Sequence, residues 1–191
     1  MSLTETPICN FGEKIKDFKL KSTEETLISI KDIKGINGTL IMFICNHCPY
    51  VKAVINEIVE ITNKLSNLGI NSVAIMSNDT KEYPEDSFEN MKKFSKINNF
   101  KFPYLYDETQ EVAHNYGAVC TPDFFGYNKN NELQYRGRVR KLTNLKHVLE
   151  NKSELLVAME LISKTSKGPM DQYPSMGCNI KWKKLNDNCN N

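Results

Sequence analysis

The chain has 191 residues, 40% of them hydrophobic and 25% charged, with a formal net charge of +2. That length suits one domain with a substantial core and is short for two. Lysines are interspersed with acids, which argues against a nucleic-acid or acidic-membrane partner, and no apolar run approaches the roughly 20 residues that span a bilayer.

The N-terminus lacks a basic segment followed by an apolar one, so a cytoplasmic protein is expected. Six cysteines in such a protein are expected to be reduced and catalytic, or simply buried, rather than a disulfide framework.

In chain order, a strand pair is predicted at Lys16–Leu20 and Leu27–Ile30, joined by the polar Ser22–Glu25 turn. Leu40–Ile44 is a continuous apolar run, the pattern of a strand covered on both faces. Val51, Val54, Ile55, Ile58, Ile61, Leu65 and Leu68 then follow helical spacing from Pro49 to about Leu68, and Gly69 ends the helix. Ile70–Met76 is a second buried strand. After the Ser77-Asn78-Asp79 loop, Pro84–Ile97 is predicted helical, Tyr104–Tyr106 extended, and Thr109–Tyr116 a short helix closed by Gly117. Phe124–Tyr127 and Leu133–Gly137 form a hairpin around Asn128–Asn131. A last helical region covers Thr143–Lys164, and the chain after Ser166 is irregular. Periodicity on its own supports an α/β protein with a mixed sheet.

The chemistry gathers at Cys45-Asn46-His47-Cys48-Pro49, between a strand and a helix. Proline favours the first helical position, so Cys48 falls at the N-cap, where unsatisfied N–H groups converge. A thiol there titrates at roughly 3.5–7.5 instead of about 8.5. The competing reading is a small buried hydrophobe. Cys45 lies three residues earlier. Three virtual bonds span at most roughly 10 Å and a disulfide needs Cα atoms within about 7 Å, so pairing requires Asn46-His47 to turn back. Paired and unpaired both stay open. His47 either tunes the thiolate or carries protons, or it is an exposed loop histidine. His114 and His147 lie in helix-patterned segments and carry no signal. Cys178 is either a resolving thiol brought by the tail or part of a tail docked through Ile180 and Trp182. Cys120 is expected to be packed, and Cys9 and Cys189 receive no role.

Five ordered segments carry a family resemblance: Phe43–Lys52, Phe102–Gln110, Tyr116–Phe125, Tyr135–Arg138 and Met176–Trp182. Together the chain resembles a peroxiredoxin-like group of the thioredoxin superfamily, related to the alkyl hydroperoxide reductase/thiol-specific antioxidant proteins. The resemblance implies a thioredoxin-like α/β fold whose central mixed sheet is flanked by helices and preceded by the strand pair. It divides the chain into a domain over residues 1–166 and an irregular tail over 167–191, docked to about residue 183. It makes Cys48 the redox residue, and places Thr121-Pro122 where such folds carry a cis-proline facing it. His47, Lys52, Thr121, Pro122, Arg136 and Arg138 are the expected supporting residues. The two arginines either hold the thiolate or an oxyanion, or only flank the hairpin. Two departures stand out. Ile41 and Cys45 replace the proline and threonine that peroxiredoxins carry before their reactive cysteine, and Val51 replaces the second cysteine of thioredoxins.

The expected function is a thiol oxidoreductase of antioxidant type. Cys48 attacks a peroxide or a disulfide, Cys45 or Cys178 resolves it, and an external thiol restores it, with no bound cofactor. Two alternatives remain: a metal-binding or metallochaperone module through Cys45-x-x-Cys48, and a non-catalytic interaction module that keeps the fold.

Overall fold

The computed structural model describes residues 3–147 and 152–184. Its strands are β1 (Leu3–Glu5), β2 (Lys19–Ser22), β3 (Leu27–Ser29), β4 (Gly38–Phe43), β5 (Ile70–Met76), β6 (Tyr104–Tyr106), β7 (Cys120–Thr121), β8 (Asp123–Asn128), β9 (Leu133–Tyr135), β10 (Leu142–Thr143), β11 (Lys146–His147) and β12 (Met176–Asn179). Its helices are α1 (Ile30–Ile33), α2 (Pro49–Asn67), α3 (Phe88–Ile97), α4 (Glu111–Tyr116) and α5 (Glu154–Thr165).

Seven strands form one mixed sheet in the order β3-β2-β6-β5-β4-β8-β9. β4 sits inside it, parallel to β5 and antiparallel to β8. This central place is why Leu40–Phe43 is apolar throughout rather than alternating with polar residues. Leu40 and Met42 face the core shared with α2 and α5, while Ile41 and Phe43 face the one shared with Phe18, Ile30 and α4. The fold is thus a mixed sheet covered by helices on both faces.

α2 is anchored by Val51, Val54, Ile55, Ile58, Ile61 and Leu65, all buried. Each such side chain contributes about 1.5–3 kcal/mol on burial. The anchoring holds the N-terminus of α2 directly after β4, and the reactive segment bridges the two.

The structure departs from the sequence expectations in four places. The first strand is Lys19–Ser22, not Lys16–Leu20, and Ile30 opens α1 instead of ending β3. Pro84–Ile97 is broken in two: a 3-10 turn at Pro84–Asp86 and α3, separated by Ser87 in extended conformation (ψ 154°). The break lets Asp86 turn inward with no exposed surface. The predicted helix from Thr143 begins only at Glu154, where the Ser153 hydroxyl caps it by accepting from the Leu156 N–H at 3.2 Å. Upstream, Asn144 and Leu145 take positive φ and close the β10–β11 ribbon, which also places His147 in a strand. Residues 148–151 of that predicted helix lie outside the described residues, as does Cys189.

The fourth departure concerns both ends of the chain. Met176–Asn179 is a strand, not irregular. It pairs with β1 on one side and β7 on the other, with Leu3 opposite Cys178 and Cys178 opposite Thr121. A Cβ on Gly177 would collide with the Thr121 carbonyl, so this close approach requires glycine. Beyond β12, Ile180 is buried and its N–H donates to the Val119 carbonyl at 3.1 Å. The Lys181 N–H donates to the Asn78 side chain at 2.9 Å.

Candidate active site

Cys48 occupies the N-cap of α2 with Pro49 at the first helical position. Its side chain is fully buried, and its Sγ lies 3.1 Å from the Thr121 carbonyl, to which the protonated thiol donates. The Thr121–Pro122 peptide is cis. The Cys48 pKa is lowered to about 5. The neighbouring Cys45 thiol is the largest cause. Burial opposes the shift, and the Val51 N–H, the Cys178 N–H and the Cys178 thiol add to the lowering. One acceptor therefore favours the thiol and several donors favour the thiolate, and the donors win.

Cys45 is the other member of that pair. It is 1% exposed, and its pKa moves up because its proton is held in the hydrogen bond to Cys48 and because it is buried. Its sulfur also sits 3.3 Å from the Thr121 hydroxyl and 4.0 Å from His47 Nδ1. Cys45 and Cys48 are both free thiols here, side by side.

Asn46-His47 does turn back, and the group that turns it is Asp86. This buried carboxylate accepts from the backbone N–H groups of Asn46 at 2.8 Å and His47 at 3.3 Å, and from the Asn78 amide at 2.7 Å. It also pairs with His47 Nδ1 at 2.7 Å. Burial pushes the Asp86 pKa up, but these hydrogen bonds outweigh it and the net shift is downward. The same pair raises the pKa of His47, whose ring stacks on Tyr83 at 5.6 Å. His47 is thus a mostly buried, partnered histidine, and its Nε2 alone has no hydrogen-bond partner. On the other side of the turn, Asn46 accepts from the buried Tyr104 hydroxyl at 3.0 Å and donates to the Glu85 carbonyl at 3.1 Å.

Cys178 reaches Cys48 from β12. It is 4% exposed, and its pKa is pushed up to about 12 by burial and by its hydrogen bond to Cys48. The structure thus brings Cys45, Cys48, Cys178, Thr121, Pro122 and His47 together. Lys52 is elsewhere, exposed on α2. Arg136 lies against Asp123 at 2.9 Å, donates to the Gly117 carbonyl at 2.7 Å and covers the Phe125 ring. Arg138 makes a two-pronged pair with Glu154 at 2.8–3.1 Å. Both guanidinium groups therefore hold carboxylates of this chain, Asp123 of β8 and Glu154 at the start of α5. Cys120 is buried, its thiol 3.7 Å from the Pro122 carbonyl, with its pKa raised by burial.

A cavity of about 160 Å³ opens beside the site. Tyr50, Val54, Pro122, Val139, Leu142 and Met176 give it apolar walls. Cys45 Sγ, His47 Nδ1 and an Asp86 oxygen lie within 4.8 Å of one another, the single group of that kind among the described residues.

Sequence reasoning missed Asp86, Asn78, Asn46 and Tyr104. Asp86 lies about 40 residues from the cysteines in a segment read as plain helix, and nothing local marks it.

Comparison with known proteins bears on the whole arrangement. The chain is similar to an uncharacterized conserved protein from Geobacillus kaustophilus of known structure, with 39% identity, TM-score 0.90, and coverage of 97% of this chain and 98% of that one. It is similar to a hypothetical protein from Sinorhizobium meliloti at 34% identity and TM-score 0.89, over 94% and 98% of the two chains. A peroxidoxin, BcpB, from Mycobacterium tuberculosis shares the fold at 16% identity and TM-score 0.54, over 64% and 81%. No functionally curated protein matches the sequence. Residues 11–141, which include β2 to β9 and the Cys45–Cys48 turn, match the AhpC/TSA family, and the chain belongs to that family.

Proposed function

We propose that this protein is a thiol–disulfide reductase in which Cys48 is the nucleophile and Cys45 the resolving thiol. The observation that carries the reading is that Cys48, at the N-cap of α2, and Cys45 converge on Thr121, at 3.1 Å from its carbonyl and 3.3 Å from its hydroxyl. A cysteine needs a thiolate to attack, and this one is held at a helix N-terminus by donors that prefer the charged form. The second sulfur lies in the same short turn and faces the same Thr121, so the resolving step needs little movement of the chain.

In the first half-reaction the Cys48 thiolate attacks one sulfur of the substrate disulfide. A mixed disulfide forms and the first substrate thiolate leaves. Cys45 then attacks the Cys48 sulfur. Its proton leaves with the second substrate thiol, and the two electrons given up by Cys45 and Cys48 reside in the two product thiols. An external dithiol reverses the Cys45–Cys48 disulfide. His47, 4.0 Å from Cys45 and donating its Nδ1 proton to Asp86, favours negative charge on the Cys45 sulfur as its proton leaves.

Peroxide reduction is the less favoured chemistry. A peroxide needs donors aimed at its oxygens, yet a thiol stands at the threonine position and both nearby arginines hold carboxylates. The test is the rate at which reduced protein reacts with a small aromatic disulfide and with hydrogen peroxide, under chelator, with Cys48→Ala alongside. The expected result is faster disulfide reaction, a pH midpoint near the lowered value of about 5, and loss of both reactions in the variant. Faster Cys48-dependent oxidation by peroxide would replace this reading with a peroxidase. Reaction unchanged in Cys48→Ala would sink both.

A further inference from the structure

The turn that prepares the thiol pair also assembles a set of metal donors. Cys45 Sγ, His47 Nδ1 and an Asp86 carboxylate oxygen come within 4.8 Å of one another. One sulfur, one imidazole nitrogen and one carboxylate oxygen make a borderline-soft, three-donor set of the kind a tetrahedral Zn2+-class ion takes with water in its fourth position.

The distances are close to what such an ion requires. Bonds of about 2.3 Å to sulfur and 2.0–2.2 Å to nitrogen and oxygen hold donor pairs roughly 3.3–3.8 Å apart. The His47–Asp86 pair at 2.7 Å would open by about half an ångström, and Cys45···His47 at 4.0 Å would close by a similar amount.

The outer support is already present. Asp86 keeps the N–H groups of Asn46 and His47 and the Asn78 amide whether or not His47 bonds to it, so its carboxylate stays aimed at the turn. Tyr83 fixes the plane of the His47 ring. The ring itself is the partly exposed wall of the cluster and offers the route of entry.

We propose that Cys45, His47 and Asp86 form a redox-gated binding site for a zinc-class divalent cation, available only while Cys45 is a free thiol. Binding displaces the Cys45 thiol proton and the proton between His47 and Asp86 to solvent, and it leaves no electron moved. A disulfide between Cys45 and Cys48 removes the only sulfur donor of the three. The inference stands apart from the reductase reading, because it requires the donors and not the reactivity of Cys48.

The test is titration of the full chain, reduced and stripped with chelator under anaerobic conditions, with Co2+ as an optical stand-in. The expected result is one Co2+ per chain, with sulfur-to-metal charge transfer and tetrahedral bands that Zn2+ abolishes. Asp86→Asn and His47→Gln should each weaken binding at least about tenfold, while Cys120→Ser leaves it unchanged. His47→Gln keeps the test alive if Asp86→Asn does not fold. Absence of uptake, an octahedral spectrum without charge transfer, or wild-type affinity in His47→Gln overturns the site. Because disulfide reactivity is read under chelator, a failure here leaves the reductase result standing, and the reverse also holds.

Discussion

Two thiols lower the Cys48 pKa, and they arrive by different routes. Cys45 comes from the same turn, three residues away, held by the Asp86 carboxylate. Cys178 comes from the far end of the chain on β12, held by pairing with β1 and β7. Cys45 has the charged His47–Asp86 pair beside it, whereas Cys178 lies on a strand with Lys181 among the charges that act on it. Local chain geometry thus supplies the partner set beside a charged histidine, and tertiary pairing supplies a second donor that tunes acidity. The two routes meet at Asn78, whose amide donates to Asp86 and whose carbonyl oxygen accepts from the Lys181 N–H.

The sharpest way to break this comparison is to remove each thiol in turn. Cys45→Ala should trap the mixed disulfide on Cys48 and lower multiple turnover by about a hundredfold or more, the scale on which a lost acid–base partner acts. Cys178→Ala should leave turnover within a fewfold and raise the Cys48 pKa. A hydrogen bond to a charged group contributes about 1.5–3 kcal/mol, or one to two pKa units. Mass spectrometry of the trapped species and pH-dependent alkylation separate the two effects. A trap that forms in Cys178→Ala and not in Cys45→Ala would exchange their roles.

A smaller effect is expected from the supports. Asp86→Asn replaces a carboxylate that accepts from four groups with an amide that cannot accept from all of them. Leaving a buried donor unsatisfied costs about 1–3 kcal/mol. Urea unfolding should show a loss of about 3 kcal/mol, and Cys45 should gain reactivity toward alkylating reagents. On the other side, Gly177→Ala sets a methyl group against the Thr121 carbonyl and pushes β12 away. It should speed alkylation of Cys178 more than that of Cys45. Equal acceleration of both thiols would mean that the two routes are one mechanical unit.

The two supports also differ in how far the sequence revealed them. The Cys48 N-cap was legible because its signals are adjacent: an apolar strand, a cysteine, a proline and a helical repeat. The same holds for the parallel β4–α2–β5 unit. Asp86 was not legible, because its role depends on Ser87 breaking a helix that the periodicity of Pro84–Ile97 joins. β1 and β12 were missed for a related reason. They are three and four residues long and define each other only by pairing across 170 residues of chain, where no local period exists to detect. The arginines show the converse. Their chemistry suggested anion holding, and they do hold anions, but the anions are Asp123 and Glu154 of this chain.

The smallest expected effect concerns pH, and its sign separates the turn from its nucleophile. His47 has a raised folded pKa through its hydrogen bond to Asp86. Its contribution to stability is therefore complete below the unfolded value of about 6.5 and fades as pH rises through the folded value. Cys48 has the opposite sign, with a folded pKa lowered to about 5 by the Cys45 thiol and the N-terminal donors. Its contribution is complete above the unfolded value of about 8.5 and fades as pH falls toward the folded one. The melting temperature of wild type minus that of His47→Gln should thus shrink from pH 6 to pH 9. The same difference against Cys48→Ala should grow over that range. Both slopes are measurable by thermal unfolding in reductant and chelator. Slopes of the same sign would show that the histidine and the thiolate share one proton, as an ion pair does, and the turn could then no longer be divided into a support and a nucleophile.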